Sequence, residues 1–124
     1  YAQTKLHGCA LLNSERIMDD KVIYTVVTQE QMANFGCNVK ATDGIVDQLR
    51  VIDGVEAVIL LYETGNPSEY KVSLRTNTDL DLARIAAVFG GGGHVKAAGC
   101  TVTGTVDEIL EGLKEQILIQ WAEV

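Results

Sequence analysis

The segment Phe89-Gly90-Gly91-Gly92-Gly93-His94-Val95-Lys96-Ala97-Ala98-Gly99 carries the residues best suited to chemistry. Four consecutive glycines let a backbone take positive φ and come close to a ligand. Their successive N–H groups can then converge on one anion. A helix beginning at His94 would add its own unpaired N–H groups and the positive end of its dipole. His94 and Lys96 place side-chain donors beside that point. The chemistry that fits is the holding of phosphate groups. A flexible linker is the plainer alternative, but linkers keep polar and often serine-rich company. Here the run sits between an apolar helix end and a compact Ala-Ala-Gly. The spacing is neither Gly-x-x-x-x-Gly-Lys-Ser/Thr nor a strand-borne Gly-x-Gly-x-x-Gly, which argues against nucleoside-triphosphate and dinucleotide sites.

A second cation stands at Arg75. Tyr70 to Thr76 alternates, with Tyr70, Val72 and Leu74 on one side and Lys71, Ser73 and Arg75 on the other. The guanidinium therefore projects from the polar face of a strand, although a lone strand arginine is commonly just solvated. Lys96 leans the same way, toward solvating a helix face. The remaining polar residues read as structural or solvated: His7 near a chain end, Asp19-Asp20 in a turn, and Asp43, Asp47 and Asp53 along one helix and its exit. A two-metal hydrolytic centre needs several Asp or His ligands. The two histidines lie far apart in sequence and no Asp-His-His occurs, so no metal ligands and no hydrolysis are expected of this chain.

The elements that must position these groups follow from periodicity. Residues 1–20 read as a short helix and a turn, with Leu6, Ala10, Leu11 and Ile17 facing a core. Val22 to Thr28 and Val55 to Tyr62 are nearly continuous apolar runs, the pattern of strands covered on both faces. Glu30 to Phe35 fits one or two helical turns. Thr42 is placed to cap the next helix, with Ile45, Leu49 and Ile52 at helical spacing. Gly65-Asn66-Pro67-Ser68 marks a turn that joins the second strand to Tyr70–Thr76 as a hairpin. Thr78 or Asp79 caps a helix with Leu82, Ile85, Ala86 and Phe89 inward. His94 to Ala98 reads as a short helix ended by Gly99, and Cys100 to Thr103 as a brief strand. Thr105-Val106-Asp107-Glu108 is a capping box. It opens a last helix with Val106, Leu110, Leu113, Ile117 and Trp121 on one stripe. Alternating strands and helices imply an α/β fold, a mixed sheet with flanking helices in a single domain.

Composition narrows the rest. The chain has 124 residues, 47% of them hydrophobic and 22% charged, which suits one core. No apolar run spans a membrane, and Tyr1-Ala2-Gln3-Thr4-Lys5 lacks the apolar stretch of a signal peptide. The chain lacks an initiator Met and reads as a piece of something longer. Cys9, Cys37 and Cys100 are odd in number and form no Cys-x-x-Cys pair, so free thiols in a reducing cytoplasm are expected. A net charge of −7 argues against coating long nucleic-acid duplexes. An anionic ligand must be held locally, against the overall field.

Phe89 to Gly99 resembles the glycine-histidine signature of the DHHA1 domain, the C-terminal half of DHH-superfamily phosphoesterases. Lys71-Val72-Ser73-Leu74-Arg75 is similar to the Val-Ser-Leu-Arg-Ser strand of that family, with Thr76 in place of its last serine. Asp81 to Ala86 also fits. The resemblance covers roughly residues 20–120 and comes nearest the branch of oligoribonucleases and nucleotide 3′,5′-bisphosphate phosphatases. It implies that residues 21–124 are the substrate-binding domain. Residues 1–20 would be a linker helix from an N-terminal DHH domain of the same chain, where manganese would sit. It further implies that Gly91, Gly92 and Gly93 offer N–H groups to a substrate phosphate, with His94, Arg75, Ser73 and, more weakly, Lys96 beside them. The partner would be a short oligonucleotide or a phosphorylated nucleotide, and the resemblance leaves open a homodimer of the full-length protein. A stand-alone nucleic-acid-binding module, like the C-terminal domain of alanyl-tRNA synthetases, is the alternative.

Overall fold

The computed structural model describes residues 1–123. Its centre is a six-stranded sheet in the order β1-β2-β3-β4-β6-β5. The strands are β1 (Glu15–Ile17), β2 (Val22–Val27), β3 (Ala57–Glu63), β4 (Glu69–Thr76), β5 (Gly92–His94) and β6 (Ala97–Thr103). Only β2 and β3 run parallel, and the other neighbouring pairs are antiparallel. A parallel pair needs a long crossover. Here the crossover holds α2 (Gln29–Asn34), a 3-10 turn (Val39–Thr42) and α3 (Ile45–Leu49). The sheet is mixed and flanked by helices, as the alternating pattern predicts.

The two faces of the sheet are covered unequally. On one face α4 (Leu82–Val88) and α5 (Val106–Ala122) bury Ile59, Leu61, Val72 and Leu74 against Ile85 and Leu113. On the other face α1 (Ala2–Leu12), α2 and α3 bury Ile23, Val58 and Leu60 against Leu6, Met32 and Ile45. That second layer covers β2 and β3. Among the described residues that second core takes in no buried residue of β4 or β6, and α3 reaches β4 at its edge, where Asp47 meets Arg75. The expected apolar runs account for both cores. Val22, Val27, Ile59 and Leu61 are fully buried, because central strands show apolar groups to both layers.

The capping box forms as expected. Thr105 accepts from the Glu108 amide at 3.1 Å, and the Glu108 carboxylate accepts from the Thr105 amide at 3.1 Å. Leu110, Leu113 and Ile117 of the stripe are buried, and Trp121 packs half-buried at its end with the Lys21 ammonium 5.5 Å from its ring.

Four local expectations differ from the structure. His94 to Ala98 is not a helix. Val95 and Lys96 form the turn of a β5–β6 hairpin, and Gly99 lies inside β6 rather than ending a helix. Lys-Ala-Ala favours helix locally, but these residues complete a ladder with β4, where Arg75 pairs with Ala97 and Ser73 with Gly99. Thr42 does not cap α3. It is buried at the end of the 3-10 turn, and Gly44 (φ 91°) precedes the helix. Asp81, not Thr78 or Asp79, caps α4 by accepting from the Arg84 amide at 3.0 Å. Residues 15–17 pair as a strand with β2, where a turn was expected.

Candidate functional site

Strand pairing lines up three cross-strand rows that run from the helix-covered β3 onto the more open part of the same face, on β4, β6 and β5. Leu60, Ser73, Gly99 and Gly92 stand in one row. Arg75, Ala97 and His94 stand in the next, and Tyr62, Lys71 and Thr101 flank the first on its other side. Residues opposed across a ladder share a face, and strands lie ≈ 4.8 Å apart, so the His94 backbone is roughly 10 Å from that of Arg75. Two hollows open on this face. One, about 360 Å³, is lined by Tyr62, Lys71, Ser73, Gly91, Gly99 and Thr101 among others. The second, about 300 Å³, is lined by Asp43, Asp47, Leu60, Tyr62, Ser73 and Arg75 among others. Tyr62 and Ser73 belong to both.

The Arg75 guanidinium lies 3.4 Å from the Asp47 carboxylate, whose same oxygen is 3.3 Å from Nε of Arg50. Both partners of the Arg75–Asp47 pair are exposed, 36% and 52%, so the contact is weak and can be exchanged for a ligand. Cys100 contributes to the wall of the first hollow, but its thiol is buried, and burial pushes its pKa upward. A thiol so held is a packing group rather than a nucleophile.

The glycines divide by what a side chain would meet. A Cβ on Gly91 would fall 2.1 Å from the Gly99 carbonyl oxygen, and one on Gly93 (φ +140°) 2.7 Å from that of Ala97. Both close approaches are imposed by the hairpin itself. A Cβ on Gly92 would meet nothing within 4 Å. The fold therefore demands glycine at 91 and 93 and leaves 92 open on the face that carries Ser73. The Gly91 amide already donates to Ala86 O at 2.9 Å, so Gly91 shapes the loop while its donor is engaged.

The run is a pinned hairpin, not a tether. Its turn is held where the Leu82 amide donates to Val95 O at 2.7 Å and the Thr76 amide to Lys96 O at 3.2 Å. The helix dipole expected after the glycines is absent, because no helix starts there. Lys96 is turned elsewhere: its ammonium donates to Thr78 O at 3.1 Å, and it lines neither hollow. His94 is exposed on the row of Arg75. His7 is a structural tie, with Nε2 2.8 Å from Ala41 O and Nδ1 2.7 Å from the Gln48 amide nitrogen.

Sequence reasoning missed Tyr62, Lys71, Asp47 and Thr101 as site neighbours. Lys71 was readable, since it alternates with Ser73 and Arg75. Tyr62 needed the β3–β4 register. A larger hollow, about 950 Å³, lies against α5 between Met18, Leu118, Ile119 and Trp121. It is mainly apolar, whereas hydroxyls, cations and open glycine backbone converge on the more open sheet face. Among the described residues no group of three or more His, Cys, Asp or Glu could hold a metal ion. No helix among them is long and apolar enough to cross a membrane.

A hairpin with an open glycine face, set against a strand presenting Ser73 and Arg75 on a half-covered mixed sheet, defines a class. The model of the DHHA1 domain family matches residues 19–118, and the chain belongs to that family. It is similar to the bifunctional oligoribonuclease and PAP phosphatase NrnA of Thermus thermophilus, 31% identical over 81 residues, or 61% of this chain and 24% of that protein. A stretch of 40 residues is 52% identical to oligoribonuclease NrnB of Bacillus subtilis, covering 32% of this chain and 10% of that one. Among solved structures, an exopolyphosphatase-related protein from Bacteroides fragilis superposes with a TM-score of 0.83 at 27% identity, over 93% of this chain and 34% of the other. A pGpG-specific phosphodiesterase, PggH from a Vibrio, shares the fold at a TM-score of 0.67 and 11% identity, over 94% and 39%. The chain thus spans about a quarter of the NrnA relative and about a third of the Bacteroides structure.

Proposed function

We propose that this chain is the substrate-recognition domain of a metal-dependent phosphoesterase acting on short oligoribonucleotides or nucleotide 3′,5′-bisphosphates. One observation carries the reading: Ser73, Arg75, Gly92 and His94 share one face of the sheet, on the strands that lie outside the α1–α3 core among the described residues. Arg75 would grip a phosphate through two N–H groups. Ser73 and His94 would donate beside it. Gly92 would let the phosphate approach the backbone, and the Gly93 amide lies next to it. The similarity to NrnA and NrnB supports nucleotide chemistry. Manganese would be held by a separate DHH domain, reached through residues 1–20, and this domain would close over the cleft.

The test is a titration of the chain with the dinucleotide pApA and with 3′-phosphoadenosine-5′-phosphate, followed by NMR. Shifts centred on Gly92, Gly93, His94, Ser73 and Arg75 and their neighbours on the same sheet face are expected. If neither ligand moves them, the phosphate-site reading fails. In a full-length enzyme, His94→Ala should lower turnover and leave metal content unchanged; loss of metal would mark His94 as a ligand instead.

A further inference from the structure

We infer that Tyr62 is a stacking platform for a nucleobase, so that the site takes a base-bearing ligand with phosphates to either side rather than a bare polyphosphate chain. The inference rests on the proposed phosphate-binding role of this face and adds to it. Tyr62 stands on the boundary of the two hollows and lines both. Each hollow has its own cation, Lys71 on one side and Arg75 on the other. These two sit on the same face of β4, four residues apart, a span of roughly 13 Å along the strand. Tyr62 pairs directly with Lys71 and also lines the hollow that holds Arg75. An aromatic ring beside one cation and bordering the hollow of a second offers the two things a single-stranded nucleotide needs, a π-face and charges for its backbone.

The ring is also held in place. It is half-buried and packs against the α1–α3 side of the core. Only part of it is needed there, because Leu60 and Val58 of the same strand already fill that layer. A polyphosphate would gain nothing from the aromatic surface, whereas a base would. The carboxylates of Asp43 and Asp47 in the second hollow point the same way. They repel an uninterrupted anion but can accept from base amino groups or ribose hydroxyls.

The experiment compares pApA with an abasic dinucleotide of equal phosphate content, by calorimetry on the 124-residue chain. Tyr62→Phe, Tyr62→Leu and Arg75→Ala are measured in parallel, each checked for an unchanged thermal transition. The wild type and Tyr62→Phe should prefer the base-bearing ligand by about tenfold, the usual scale of base–aromatic stacking. Tyr62→Leu should lose that preference while keeping its abasic affinity. A 2-aminopurine dinucleotide should be quenched by the wild type and by Tyr62→Phe, and not by Tyr62→Leu. Equal binding of both ligands by the wild type, or a preference that survives in Tyr62→Leu, overturns the role of Tyr62 alone, provided Arg75→Ala still abolishes binding. If the wild type binds neither ligand, or Arg75→Ala binds as well as the wild type, the phosphate-site reading falls and this inference with it.

Discussion

Asp47 and Arg75 meet at 3.4 Å over the second hollow, and Arg50 shares the same Asp47 oxygen. The carboxylate thus keeps two guanidinium groups near the more open sheet face and competes with any phosphate for Arg75. An exposed pair of this kind is worth about 0.2–1 kcal/mol. Asp47→Asn should therefore strengthen binding of pApA by about two- to fivefold at low salt, and shift unfolding by under about 1 kcal/mol. Calorimetric titration and a urea melt would measure both. Weaker binding would mean that Asp47 positions Arg75 more than it competes with it.

The hairpin separates two roles for glycine that the sequence merges. Gly91→Ala places a methyl group on the Gly99 carbonyl, a clash that only backbone movement can relieve. Overpacking of that kind costs about 1–3 kcal/mol or more, visible in a denaturant melt. Gly92→Ala meets no protein atom, so its melt should match the wild type within about 0.5 kcal/mol. Its affinity for pApA should nevertheless fall about tenfold or more if the phosphate packs on that backbone, as in other glycine-lined anion sites. A Gly92→Ala chain that binds normally would move the phosphate elsewhere on the face.

These contrasts show where a sequence stops being readable. The buried strands β2 and β3 were legible because long apolar runs have few other homes, and the helix α5 because Thr105 and Glu108 announce its start. Arg75 and Ser73 were legible because period two puts them on one face. The β5–β6 hairpin was not. Val95 to Ala98 has helical propensity, and what decides its conformation is the ladder it completes with β4, a partner some twenty residues upstream. Asp81 is the cap because α4 begins at Leu82, which leaves Thr78 three residues too early, its hydroxyl 2.9 Å from that of Thr76 instead. Tyr62 was hidden for the same reason as the hairpin. It sits at the end of an apolar strand, and only the Tyr62–Lys71 pairing places it beside the site.

The cap of α5 makes stability depend on acid. The Glu108 carboxyl is held below its ordinary value, first by the Thr105 backbone N–H and then by the Thr105 side chain. A lowered carboxylate contributes stability that is present above its unfolded value, near 4.5, and is lost as pH falls through the lowered folded value. Thr64 and Asn66 lower Glu69 in the same sense, and Arg84 lowers Glu123. Thermal midpoints should thus drop as pH falls below about the carboxylate range, and Glu108→Gln should flatten part of that drop while keeping the cap. Thr105→Ala should cost about 1 kcal/mol at neutral pH, lowering the midpoint by about 4 °C for a domain of this size. Differential scanning calorimetry from pH 7 to pH 3 would show both effects.

Salt separates a substrate-gripping site from a nucleic-acid-coating surface. The chain carries a net charge of −7, and Arg75 and Lys71 are the cations that line the two hollows. Each phosphate neutralised on a single strand contributes about −0.7 to the slope of log affinity against log salt. Two such contacts give a slope of about −1.4, and the repulsive overall field acts on longer chains by adding distant phosphates that no cation meets. Affinity should therefore level off, or decline, as oligoadenylates lengthen beyond two or three nucleotides. Fluorescence anisotropy across 20–200 mM salt with a length series would test this. A slope steeper than about −3, growing with length, would mark a binding surface for long nucleic acid instead.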